Sequence, residues 1–134
     1  MRDHLAEPLR AYLDAAGDAP MAWGISDCSR WAAGWVALVH GRPVDLPRWT
    51  SREEAHGLIR EAGSLAALWA DALFAFGLDE AGVPDAGDVG IIDTGRFGQV
   101  GGIFLSGGYF AWRAEPRGIL ILLPRSIVRV WSIR

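Results

Sequence analysis

Cys28 is the single cysteine among 134 residues. It stands in Trp23-Gly24-Ile25-Ser26-Asp27-Cys28-Ser29, where an apolar run with helical spacing begins. One cysteine makes no intrachain disulfide and no multi-cysteine zinc site. It is therefore either a small buried hydrophobe or a nucleophile. Its position at a helix start bears on the second reading, because free N–H groups and the positive end of the macrodipole favour an anion there. A thiolate so placed has a lowered pKa and is a better nucleophile at neutral pH. Asp27 pulls the other way if its carboxylate lies near the sulfur, or it caps the helix by accepting from the N–H of Ser29 or Arg30. From spacing alone, an inert cysteine under the tryptophans is the commoner outcome.

A nucleophile needs a base. The only histidines are His4, His40 and His56, all in the first half of the chain. His40 falls about three turns along the Cys28 helix, ~18 Å away by the helical rise, and is out of reach. His4 or His56 would reach the sulfur only by folding back, so all three read as ordinary surface or core histidines. No metal-ligand spacing is present. Glu53 and Glu54 are adjacent carboxylates, but their place after Thr50 and Ser51 fits two overlapping capping boxes, Thr50 with Glu53 and Ser51 with Glu54. Gly95-Arg96-Phe97-Gly98 lacks the Lys-Ser/Thr of a phosphate loop. Asp93 to Gly98 reads as a solvated hairpin loop with a ligand contact as the alternative. Gly101-Gly102 fits tight packing or a bulge as well as close approach of a substrate.

The elements that must position these residues fall into two blocks. Leu5 to Ala16 carries Leu5, Leu9, Tyr12 and Leu13 on one stripe, with Asp3 as N-cap and Gly17 as the stop. A second helix runs from near Asp27 to His40, with Trp31, Trp35, Leu38 and Val39 as its apolar face and Gly41 as its end. Its Ala32, Ala33 and Gly34 admit a close neighbour. A third follows Thr50-Ser51 to about Ala62, and a fourth spans Leu65 to Phe76 between Ser64 and Gly77. From Asp88 the period changes to that of strands: Val89–Asp93, Val100–Leu105, Tyr109–Ala114, Ile119–Leu123 and Ile127–Ile133. Gly107-Gly108 and Glu115-Pro116-Arg117-Gly118 are turn signals. Helices followed by hairpin-linked strands predict an α+β domain, a helical N-terminal half packed on a mostly antiparallel sheet, with the Cys28 helix central.

Composition bounds the rest. The length suits one domain, residues 1–134. Apolar residues make up 51 % and charged ones 22 %, which is the balance of a folding chain. A net charge of −3 speaks against a nucleic-acid binder, which needs a cationic surplus. No apolar run reaches the ~20 residues of a membrane span, and the N-terminus shows no secretory signal. All 13 basic residues are arginine, which suggests a GC-rich coding genome. Seven tryptophans are many for this length, and the expectation is that some lie in the core and some face a partner. Trp49, Phe97 and Trp112 are the candidates for a partner-facing role, with core packing the alternative for Trp112.

The motif around Cys28 resembles the nucleophile motif of the NlpC-type papain-like cell-wall peptidases, in which an aromatic–glycine pair precedes an Asp-Cys-Ser helix start. Ala86-Gly87-Asp88-Val89-Gly90-Ile91-Ile92 is similar to that superfamily's Gly-Asp strand. Gln99-Val100-Gly101-Gly102-Ile103-Phe104-Leu105 is similar to its His-Val-Gly-Ile-Tyr strand. Gly118-Ile119-Leu120 and Trp131-Ser132-Ile133 fit an uncharacterised branch associated with phage and prophage tails. The resemblance implies a papain-like architecture, with Cys28 and the position of Gln99 as the catalytic pair and Trp23, Gly24, Asp27 and Ser29 as binding residues. Gln99 stands where the superfamily has its histidine base, and the third polar position falls near Ala111. A glutamine takes no proton from a thiol, and base catalysis contributes typically 10²–10⁴-fold. The first expectation is thus a tail-associated structural protein with a degenerate peptidase-like fold. The alternatives are an active cysteine hydrolase cutting peptidoglycan stem peptides through Cys28, and a small ligand- or partner-binding bacterial protein. The implied partners are other tail or tail-tip proteins, with peptidoglycan as a further candidate, and with no nucleic acid, membrane insertion, metal or cofactor. The implied location is the virion tail, or the bacterial cytoplasm before assembly.

Overall fold

The chain turns into its central helix at Asp27, whose side chain accepts from the Arg30 N–H at 3.1 Å and so satisfies one of the orphan donors of the first turn. The helix that follows is α2, Cys28–His40, and Gly41 ends it in the left-handed conformation. In the computed structural model, which describes residues 3–134, three further α-helices surround it. They are α1 (Ala6–Ala16), α3 (Arg52–Ala62) and α4 (Leu65–Phe76). Ser64 caps α4 by accepting from Ala67 N–H, and Gly77 closes it. At α1 a 3-10 turn over Asp3–Leu5 precedes the helix, and Leu5 occupies the cap position with no side-chain bond. The Asp3 side chain, expected to cap α1, lies outside the described residues.

Two further expectations are corrected. Of the paired capping boxes at α3, only the one centred on Ser51 forms. Ser51 accepts from Glu54 N–H, while the Glu54 carboxylate accepts from the Thr50 N–H and hydroxyl. Glu53 takes no part in these bonds, because one residue alone can occupy the N-cap. On α2 the buried stripe is Trp31, Ala32, Trp35 and Val36. Leu38, roughly a quarter-turn from its centre, is 58 % exposed. The expected close neighbour of the small residues is Tyr12 of α1: a Cβ at Gly34 would sit 2.4 Å from its hydroxyl.

The second half forms one five-stranded sheet, antiparallel throughout, in the order β4-β3-β2-β1-β5. The strands are β1 (Val89–Asp93), β2 (Gln99–Phe104), β3 (Phe110–Arg113), β4 (Ile119–Leu122) and β5 (Ile127–Trp131). Strand ends differ by one or two residues from expectation, and at the β2–β3 junction they do so because Ser106–Gly108 coils into a 3-10 turn. Leu105 N–H then donates to Tyr109 C=O to close the hairpin. Val89, Ile91, Ile103, Ala111 and Trp131 join the helices in the main core, around Trp31, Trp35 and Trp69. Ile92, Val100, Phe104, Phe110, Trp112 and Val130 form a second cluster, against which Cys28 packs. Asp88, 1 % exposed, ties the C-terminus to this frame by accepting from Asp85 N–H and Ile133 N–H.

One irregularity of the sheet matters for the site. The Phe104 N–H donates to Asp88 C=O on the β1 side, and Leu105 N–H donates to the β3 side. By the alternation of strand backbone groups, Gly101 also turns its N–H towards β3. The β2–β3 register, however, covers only Ile103↔Ala111 and Phe104↔Phe110. The two strands part below that point, and Gly101 faces the gap.

Candidate functional site

Helix α2 packs against β2 and β3. A backbone hydrogen bond from Gly101 reaches the Cys28 sulfur. Since it favours the thiolate, it is donated by the N–H that the ladder leaves unused. Ser29 adds side-chain and backbone bonds to the same sulfur. The Ser29 hydroxyl also accepts from Trp69 Nε1 at 2.9 Å. The Trp69 ring in turn packs closely on Gly101, where a Cβ would meet it at 2.2 Å. The Gly101 position is therefore tight helix–sheet packing, one of the three readings open from sequence beside a bulge and close approach of a substrate.

Asp27 is buried, at 2 % exposure. Besides capping α2, it accepts from Gly24 N–H and from Trp49 Nε1, both at 2.7 Å. Gly24 has φ +81, and a Cβ there would collide with the Trp49 carbonyl at 2.0 Å. The Trp-Gly-x-x-Asp-Cys segment is thus a locked turn that hands the chain into α2.

Above the sulfur opens a cavity of about 320 Å³. Cys28, Asp27 and Ser29 form its floor, with Trp23 beside them. Arg52, Ala55, His56 and Ile59 of α3 make one wall. Gln99 and Val100 of β2 face Trp112 and Arg113 of β3 across the parted strands, and Phe97 and Leu120 stand at the mouth. Of the sequence-derived site residues, Cys28, Gln99, Trp23, Asp27 and Ser29 all line this cleft. Gly24 does not line it and acts through the turn.

Burial pushes the Cys28 thiol up from its ordinary value, and the Asp27 charge adds to that rise. The bonds from Gly101 and Ser29 oppose it without reversing it. This corrects the lowered pKa expected of a nucleophile at a helix start: desolvation of the anion outweighs the helix terminus. Asp27 both caps the helix and disfavours the thiolate, so the two roles weighed for it coexist.

The histidines divide. His40 Nε2 lies 2.6 Å from Ile133 C=O, and its ring meets Phe76 edge-on. His4 is exposed on the surface. His56, expected to stay apart from the site, lines the cleft instead, with its ring edge-on to Trp23 at 6.2 Å. The hydrogen bonds of the sulfur run to Gly101 and Ser29, not to His56. One aromatic expectation is corrected, that of Trp49, while Trp112 takes the core packing weighed as its alternative. Trp49 and Trp112 are buried, at 5 % and 4 %, because Trp49 satisfies its N–H on Asp27 and Trp112 packs with Phe110 at 6.3 Å. Phe97 remains 55 % exposed, and its ring leans on Trp112 at 6.2 Å.

Sequence reading missed three parts of the site. Arg52, Ala55, His56 and Ile59 recur at i, i+3, i+4 and i+7, a helical stripe readable as one face. Trp23 Nε1 donates to Glu115 across the β3–β4 turn at 2.9 Å, which no local signal announces. Arg113, 5 % exposed, spends its guanidinium on the carbonyls of Ala19, Pro20 and Gly118 at 2.8–3.0 Å. It thereby pins the segment before the Cys28 turn against the sheet. Among the described residues, no cluster of three His, Cys, Asp or Glu side chains could hold a metal ion, and no helix is long and apolar enough to cross a membrane.

Residues 1–133 match the family described as a domain of unknown function, DUF6950. The chain belongs to that family. No curated protein matches it. The site of this DUF6950 domain can enclose an apolar group against its tryptophans, with polar rim groups at Arg52, His56, Gln99 and Glu115.

Proposed function

We propose that this protein is a phage or prophage tail-associated structural protein, in which a peptidase-like cleft serves to bind rather than to cleave. The observation that carries the proposal is the state of Cys28. Its sulfur lies on the floor of the cleft, hydrogen-bonded to Gly101 and Ser29, with a pKa raised by burial. Gln99, on the facing strand, can hydrogen-bond a ligand but takes no proton near neutral pH. The assignment to a tail rests on the resemblance of the Cys28 and Gly87-Asp88 motifs, and its partners are accordingly other tail or tail-tip proteins.

The test is alkylation of Cys28 by iodoacetamide across pH, run beside an assay for release of peptide from purified peptidoglycan. The proposal expects slow alkylation that accelerates only above the ordinary thiol range, and no turnover. A second reading, a cysteine hydrolase, is favoured by one observation: His56 lines the same cleft as Cys28. Turnover by the wild type that disappears in both Cys28→Ala and His56→Ala would establish that reading and overturn the first. For the tail assignment, the purified chain should co-assemble with tail subunits encoded beside it. A chain that binds none of them refutes it.

A further inference from the structure

The sheet has two edges, and they are treated differently. The β5 edge is closed by the chain itself. Ala81 N–H donates to Val130 C=O, and Ser132 N–H donates to Asp79 C=O, at 2.9 and 2.8 Å. Glu80 forms a bridge with Trp131 and accepts from Arg129 at 2.7 Å. The β4 edge has a cover only at its start, where Gly118 N–H donates to Ala19 C=O and Pro20 bridges to Arg117. Beyond Gly118, among the described residues, no strand or loop pairs with its outer side.

The register says which groups are left open. Ala114 N–H donates to Gly118 C=O, and Trp112↔Leu120 and Phe110↔Leu122 continue that ladder. These are the hydrogen-bonded pairs, so the intervening Ile119 and Ile121 point both N–H and C=O outward. The side chains along this edge are apolar and exposed: Leu120 42 %, Ile121 51 % and Leu123 60 %. Exposed edges are usually blunted by an internal charge, a proline or a bulge. Here Pro124 and Arg125 come only after the strand, and Arg117 only before it.

We infer that the β4 edge is a docking site for an extended strand of another protein, apolar in its middle and acidic at its ends. The choice of occupant follows from charge. Two copies of this chain pairing antiparallel through Ile119, Ile121 and Leu123 would carry the partner copy's Arg125 to the place beside Arg117 that Pro20 already holds, and would bring two arginine side chains together there, which disfavours the pair. Arg117 has an exposed contact with Asp18 at 3.5 Å, which is too weak to cancel that term. An incoming strand confined to Ile119–Leu123, with a carboxylate just beyond each end, reaches both arginine side chains favourably in either direction. Strand addition supplies main-chain bonds for affinity, and the apolar side chains supply specificity. This inference is independent of what the Cys28 cleft binds.

The probe is a labelled peptide, acetyl-Glu-Val-Thr-Val-Thr-Val-Glu-amide, beside the same peptide with lysine at both ends. Fluorescence anisotropy reads binding, and amide hydrogen exchange reads its place. The acidic peptide should bind about two- to thirtyfold tighter than the lysine peptide at low salt. It should slow exchange at Ile119 and Ile121 and leave β5 unchanged. Ile121→Lys and, separately, Leu123→Lys should abolish binding, while Val83→Lys, at a distant exposed position, should not. Circular dichroism checks that each variant is folded. Equal binding of the two peptides, or binding without protection of Ile119 and Ile121, overturns the proposal. So does a dimer by sedimentation in which those amides are already protected without peptide, since the occupant would then be a second copy.

Discussion

Asp27→Ala tests the physical account of the Cys28 turn. The native carboxylate accepts three hydrogen bonds, from Arg30 N–H, Gly24 N–H and Trp49 Nε1. Loss of the helix cap costs about 0.5–2 kcal/mol. The Trp49 indole is buried, and leaving its N–H without an acceptor costs about 1–3 kcal/mol. The half-buried Gly24 N–H adds about 0.5–1.5 kcal/mol. The variant should therefore be about 2–6 kcal/mol less stable, a large share of the ~5–15 kcal/mol typical of a domain. At roughly 3–5 °C per kcal/mol for this size, its Tm should fall by about 6–30 °C. Urea unfolding followed by tryptophan fluorescence measures the change. Asp27→Asn keeps one acceptor oxygen and should lose about half as much. It also removes the negative charge that helps hold the Cys28 thiol up, so at a fixed pH, under conditions where the variant is folded, alkylation should be faster than in wild type. An Asp27→Ala protein within about 1 kcal/mol of wild type would refute this account of the turn, and an unchanged alkylation rate in Asp27→Asn would refute the electrostatic part.

Two further perturbations probe the packing beneath the cleft. Gly101→Ala forces a methyl to within 2.2 Å of the Trp69 ring. It should cost about 1–3 kcal/mol or more by overpacking, and a thermal midpoint equal to wild type would show that α4 can move off the sheet. Tyr12 is pushed up to about 12, chiefly by burial, with Arg113 opposing. Its folded pKa thus exceeds the unfolded value near 10, so the stability it contributes is full below about pH 10 and is lost as pH rises towards 12. Denaturant midpoints from pH 8 to 12 should fall less steeply in Tyr12→Phe than in wild type, and parallel curves would exclude Tyr12 as the source.

How far the sequence could be read depended on the range of the interaction that decides each feature. Ser64, Gly77, Asp27 and Gly41 mark helix ends by bonds made within a few residues, and the helices end where those residues stand. Asp3 marks the limit of the same rule, since α1 starts three residues later with no side-chain cap. Strand positions were legible from alternation, and a mostly antiparallel sheet from short turns, but the place of β5 beside β1 is a crossover with no local signal. The cleft was only half legible. Its floor is a local motif, but its walls come from α3 and from the parting of β2 and β3, and Gly101-Gly102 says only that something packs closely there. Trp49 could not be placed, because its partner Asp27 lies 22 residues away.

Cys28 shows why this distinction bears on function. The local rule, an anion at a helix start, gives the sign of a reactive thiol. The opposite sign comes from enclosure between two strands, and from an Asp27 carboxylate whose own position is fixed by Trp49 and Gly24. Both effects act on the same atom, and the larger is the one that exists only after folding. A nucleophile motif in a sequence therefore specifies where a sulfur will sit more securely than what charge it will carry. In this fold, the turn that delivers Cys28 to the cleft also brings the buried carboxylate that helps keep it protonated.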